Sequence, residues 1–80
     1  MDNSTLFKEG QIVYVATEML GGKYSLFPAR VIDVYDDEII LRRKSADIGE
    51  IRMDINDRRL CLTSDECYTV CNRINENNEH

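Results

Sequence analysis

The sequence predicts a mostly β protein, a five-stranded antiparallel small barrel with one C-terminal α-helix. Three observations carry that prediction. Up to about residue 58 the chain reads as short β-branched and aromatic runs separated by turn residues. A strand-like run, Arg59-Leu60-Cys61-Leu62, then goes straight into Thr63-Ser64-Asp65-Glu66, which reads as a helix start. Beyond it Cys67, Val70, Cys71 and Ile74 recur at three- and four-residue spacing, one apolar stripe of a helix. Eighty residues leave room for a single domain. Its ordered core is expected over about residues 7–75, with both polar ends frayed.

Strand one is expected at Gln11–Thr17, rich in Val, Ile and Tyr and preceded by Gly10. Glu18–Lys23 reads as a loop because Gly21-Gly22 is a strong turn signal. Tyr24–Tyr35 is a long extended run interrupted by Pro28, which marks an edge, a bulge or the true strand start. The strand proper is placed at Ala29–Tyr35. Asp36-Asp37 then turns the chain into strand three at Glu38–Arg43, making a hairpin. Lys44–Ile48 is a connection. Strand four is expected at Gly49–Ile55, where Ile51, Met53 and Ile55 alternate with Glu50, Arg52 and Asp54. Asn56-Asp57 turns into strand five at Arg58–Leu62.

The helix is expected at about 64–75. Thr63 is a good N-cap, Glu66 completes a capping box, and Leu62 with Cys67 fits a hydrophobic staple. Asp65 and Glu66 complement the helix dipole. So short a helix does not hold in water alone. It must dock on the barrel, with an open end as the expected place; the alternative is an open, strongly bent sheet with the helix across one face. The expected core is Ile12 or Val13, with Val15, Val31, Val34, Ile39, Leu41, Ile51, Met53, Leu60, Leu62, Val70 and Ile74.

Phe7-Lys8-Glu9-Gly10-Gln11-Ile12-Val13-Tyr14-Val15 resembles the opening of the SH3/Tudor-like small barrels, as does Phe27-Pro28-Ala29-Arg30-Val31-Ile32-Asp33-Val34-Tyr35. Asp54-Ile55-Asn56-Asp57 followed by Leu60 to Cys67 resembles a group of short uncharacterised bacterial and phage proteins. Those end in an aliphatic-aromatic-leucine-threonine stretch, an acidic pair and alanine. Here Cys61 replaces the aromatic residue and Cys67 the alanine. The resemblance spans roughly residues 7–74 and implies a mobile-element setting without an activity.

Hydrophobic content of 42% and charged content of 31% are ordinary for a globular domain. No apolar run approaches the roughly 20 residues of a membrane helix, and no signal peptide is visible. The expected location is cytoplasmic. The net charge of −5 disfavours nonspecific binding to polyanions. That charge is uneven. Lys and Arg number three over residues 1–40 (Lys8, Lys23, Arg30), six over 41–60 and one (Arg73) over 61–80.

Candidate chemistry is sparse. Cys61, Cys67 and Cys71 lack paired knuckle spacing, so a buried-hydrophobe role is preferred to a metal or redox role. The sole histidine, His80, is terminal, so no nucleophile–base pair is recognisable and an enzyme is not expected. No cofactor or metal is expected. Tyr14, Tyr24, Phe27 and Tyr35 could supply a cation cage but are read as core. Asp33 and Asp36-Asp37-Glu38 lack a calcium-loop pattern and read as a turn.

Two surfaces remain. Met19-Leu20 beside Gly21-Gly22 either folds back over the barrel or contacts a partner. A protein-binding adaptor or modulator is favoured, using Glu18, Met19, Leu20, Lys23 and Tyr24 with a neighbouring acidic turn at Asp36 and Asp37. In a mobile-element setting it would inhibit a host protein by occupying that protein's basic site. The rival is nucleic-acid binding through a basic strip of Arg42, Arg43, Lys44, Arg52, Arg58 and Arg59. Interleaved Glu50, Asp54 and Asp57 argue instead for a self-neutralised face.

Overall fold

The computed structural model describes residues 6–43 and 49–78. The connection expected at Lys44–Ile48 and the tail ending in His80 lie outside the described residues, so Lys44 and His80 are not placed. The element order is β1 (Ile12–Glu18), β2 (Tyr24–Val34), β3 (Glu38–Arg43), β4 (Ile51–Asp54), β5 (Leu60–Cys61) and α1 (Ser64–Asn78). All strand pairs are antiparallel, and the sheet order is β4-β3-β2-β1-β5. The sheet curls into a half-barrel, consistent with the small-barrel class the sequence predicts.

β3 has the bounds expected of it. β2 does not. It begins at Tyr24, five residues before the expected start, and Pro28 sits inside it opposite Tyr14. The ladder explains the proline. The amide of Val31 donates to the carbonyl of Gln11 on the β1 side. Antiparallel hydrogen bonding alternates, so the backbone nitrogens of Tyr24, Leu26 and Pro28 face away from β1. β3 pairs with β2 only from Ala29 onward. Among the described residues Pro28 therefore forgoes no ladder bond, because its nitrogen faces away from β1 and the described β3 ends opposite Ala29.

A bulge at Ile32 sets the second half of β2. Val31 pairs with Leu41 and Asp33 with Ile40, leaving Ile32 as the extra residue. Val31 and Val34 are separated by an odd interval and would otherwise face opposite sides. The bulge brings both to the core side, with Val34 opposite the fully buried Ile39.

The concave face holds the main core of Phe7, Val13, Val15, Phe27, Ala29, Val31, Ile39, Leu41, Met53, Ile55 and Leu60, with Val34, Ile51 and Leu62 packed at its margin. Phe27 is core, as expected of it, and Phe7, Ala29 and Ile55 are additions. Ile40 is also buried, with Asp33 and Arg52 as its neighbours across the sheet.

The helix is not the expected plug over an open end; it takes the alternative place, across one face of the bent sheet. α1 lies on the outer face, against β1, β2 and β5. There Cys67 and Cys71 pack on Ala16 and Cys61, with Tyr14, Tyr24, Leu26 and Val70 around them. β1 is thus buried on both faces: Val13 and Val15 look into the half-barrel, Tyr14 and Ala16 toward the helix. Thr63 caps α1, its Oγ1 accepting the Glu66 amide at 3.2 Å. Leu62 turns to the main core and Cys67 to the second cluster, so the expected staple pair is divided between two cores. The helix also outruns its expected end by three residues.

Candidate partner-binding surface

The β1–β2 hairpin has a defined tip. The Met19 amide donates to the Lys23 carbonyl at 2.7 Å, and the Gly22 amide to the Met19 carbonyl at 3.0 Å. Gly21 and Gly22 have φ of +91° and +82°, a region that side chains disfavour, so this turn needs its glycine pair. Met19 is half-buried. Leu20 is fully exposed at 104% of its reference area. The apolar pair thus divides, with one residue folded back and one projecting.

The base of the hairpin is pinned by α1. The Asn75 side chain accepts the Tyr24 amide at Oδ1 (2.7 Å) and donates from Nδ2 to the Tyr24 carbonyl (3.1 Å). This amide mimics a neighbouring strand on the edge of β2 that β3 leaves open. Sequence reading put Asn75 at the very end of the expected helix, beside a polar tail, and an asparagine there carries no signal of such a contact.

Glu18 and Lys23 flank the tip and are exposed, while Tyr24 is half-buried beside the helix. Asp36 and Asp37 are exposed, but in the β2–β3 turn, at the other end of the eleven-residue β2. A strand of that length runs roughly 33 Å along its path. The expected pairing of loop and acidic turn as neighbours is therefore corrected: they are two separate places. The acidic turn instead adjoins an open groove of about 270 Å³ lined by Asp37, Glu38, Arg52, Met53 and Asp54.

The five described arginines of the basic strip do not make one face. Arg42 pairs with Glu50 at 3.9 Å and Arg52 with Glu38 at 3.5 Å across β3 and β4. Arg43 lies over the Phe27 ring, 4.6 Å from its centroid. Arg58 and Arg59 sit in the β4–β5 turn. Arg59 grips Asp57 through Nε (3.1 Å) and a terminal nitrogen (2.8 Å). That side-chain bond holds the Asp57 carboxyl below its ordinary 3.8.

The aromatic rings do not converge either. Tyr14 and Tyr24 pack beside the helix, Phe27 is in the main core, and Tyr35 is exposed beyond β2. Cys61, Cys67 and Cys71 are free, buried and adjacent, as the buried-hydrophobe reading expects. Burial pushes all three thiols above their ordinary 9.0, Cys67 furthest. Among the described residues no group of three His, Cys, Asp or Glu side chains is arranged to hold a metal ion, and no helix is long and apolar enough to cross a membrane. No protein-family model, curated protein or solved structure matches the chain.

Proposed function

We propose that this chain is a non-catalytic protein-binding module that contacts its partner through the tip of the β1–β2 hairpin. The observation that carries this reading is Leu20, wholly exposed on a turn held by internal hydrogen bonds. A large apolar side chain on a pre-shaped turn loses little entropy on binding. Glu18 and Lys23 give the contact a charged rim. In the mobile-element setting that the resemblance implies, the module would act on a host protein, and the net charge of −5 suits a basic site on it.

The test is a photo-crosslinking residue placed at position 20 and, as control, at the exposed position 30, in cells of the native host. A discrete protein adduct from position 20 alone, lost on Lys23→Glu, supports the reading. Direct nucleic-acid binding predicts otherwise. It predicts micromolar binding to DNA or RNA at low salt, lost on Arg42→Ala/Arg43→Ala and unaffected by Met19→Ser/Leu20→Ser. Each lost phosphate contact would also lower the salt slope by about one. That result would replace the hairpin reading.

A further inference from the structure

A second cleft, of about 170 Å³, opens between the β4–β5 turn and the C-terminal half of α1. Its lining is Arg58 from the turn and Val70, Arg73, Ile74 and Asn77 from the helix. The four helical residues follow the three- and four-residue spacing of one stripe, so they present together. We propose that this cleft binds an acidic peptide segment, seating a carboxylate between Arg58 and Arg73 and a neighbouring aliphatic side chain over Val70 and Ile74.

Uncommitted charge is the first argument. Arg42, Arg52 and Arg59 each have a carboxylate within 4.0 Å, and Arg43 stacks on Phe27. Among the described residues, Arg30, Arg58 and Arg73 have neither kind of partner, and two of these three line this one cleft. The carboxylate nearest Arg58 in sequence, Asp57, has both oxygens hydrogen-bonded by Arg59, so Arg58 meets it only as a more distant charge. Both arginines line the one cleft, so an anion bound there meets two cationic side chains. Their planar forks match a carboxylate in particular.

Rigidity is the second argument. The backbone around Arg58 is held on three sides. The Leu60 amide donates to the Asp57 carbonyl (3.0 Å), the Cys61 thiol to the Arg58 carbonyl (3.9 Å), and the Ala16 amide to the Arg59 carbonyl (2.9 Å). The cleft is therefore shaped before any ligand arrives, which lowers the entropic cost of binding.

Size and lining select the ligand. The volume is below the roughly 300–1,000 Å³ of small-molecule pockets, and suits one acidic side chain with part of its neighbour. Val70 and Ile74 give it an apolar floor, which a phosphate backbone does not use and an aliphatic side chain beside the carboxylate does.

The probe is a fluorescein-labelled hexapeptide of alternating leucine and glutamate, amidated at its C-terminus, titrated by anisotropy at low salt. Saturable binding is expected, weakened about tenfold or more by Arg58→Ala or by Arg73→Ala. Arg30→Ala and Leu20→Ser should leave it unchanged, which keeps this result separate from that of the hairpin. Amide shifts in the full chain should gather at residues 58, 70, 73, 74 and 77. Both arginines are exposed, and circular dichroism of each variant confirms its fold. Absence of saturable binding up to millimolar peptide overturns the proposal. So does equal binding of the glutamine-for-glutamate peptide, or tighter binding of a polyuridine oligonucleotide to the same residues.

Discussion

Asn75 holds both backbone groups of Tyr24, and among the described residues no strand pairs with those groups on that edge. Removing the amide leaves a donor and an acceptor at a partly buried edge. Asn75→Ala is therefore expected to lower stability by about 1–3 kcal/mol, read as a fall in the urea midpoint. It should also speed amide exchange across residues 19–24 while leaving β3 protected. The buried thiols act on another axis. Below pH 9.0, the ordinary thiol value, folded and unfolded chains both keep them protonated, and stability is unaffected. Above it the unfolded chain ionises while the folded chain resists, so stability falls as pH rises through the raised folded values. Urea titrations at pH 7.5 and pH 10 should show this fall, and Cys67→Ala should make it shallower. Asp57 works in the opposite sense. Its lowered carboxyl value gives a stabilisation present above 3.8 that is lost as pH falls below it. Arg59→Ala, by removing the partner, should flatten that acid limb of the stability curve.

At the scale of elements, β3, the α1 start and the five-strand order were legible because each rests on local signals: alternation, a cap, a turn pair. The first half of β2 was not. A proline reads as a break until one knows that its nitrogen faces away from β1 and that the described β3 ends opposite Ala29. The seat of α1 was half-legible. Its stripe of Cys67, Cys71 and Ile74 was plain, whereas the burial of β1 on both faces was not read from its apolar run Ile12 to Ala16. Joining the two needed the sheet order. The same holds for the surfaces. Leu20 could be singled out from Gly21-Gly22, whereas its distance from Asp36 and Asp37 depends on the full length of β2. The cap is a local test. Thr63→Ala is expected to cost about 1 kcal/mol, lowering Tm by roughly 4–8 °C in a domain of this size.

For the whole molecule, two apolar clusters share one sheet, the larger inside its curl and the smaller under α1. The helix does more than cover Ala16 and Cys61. It fixes the open edge of β2, and through it the hairpin that carries Leu20. It also supplies four of the five residues lining the arginine cleft. Both candidate binding surfaces thus depend on where α1 sits. The exposed pairs Arg42–Glu50 and Arg52–Glu38 contribute little to stability by contrast. The most direct test is therefore the nuclear Overhauser spectrum of the full chain. The account predicts cross-peaks from the Ala16 methyl to the β protons of Cys67 and Cys71, and from the Asn75 side-chain amide to the Tyr24 amide. Cross-peaks from Cys67 and Cys71 to Val13, Val15 and Val31 instead, with none to Ala16, would place the helix inside the barrel mouth and contradict it.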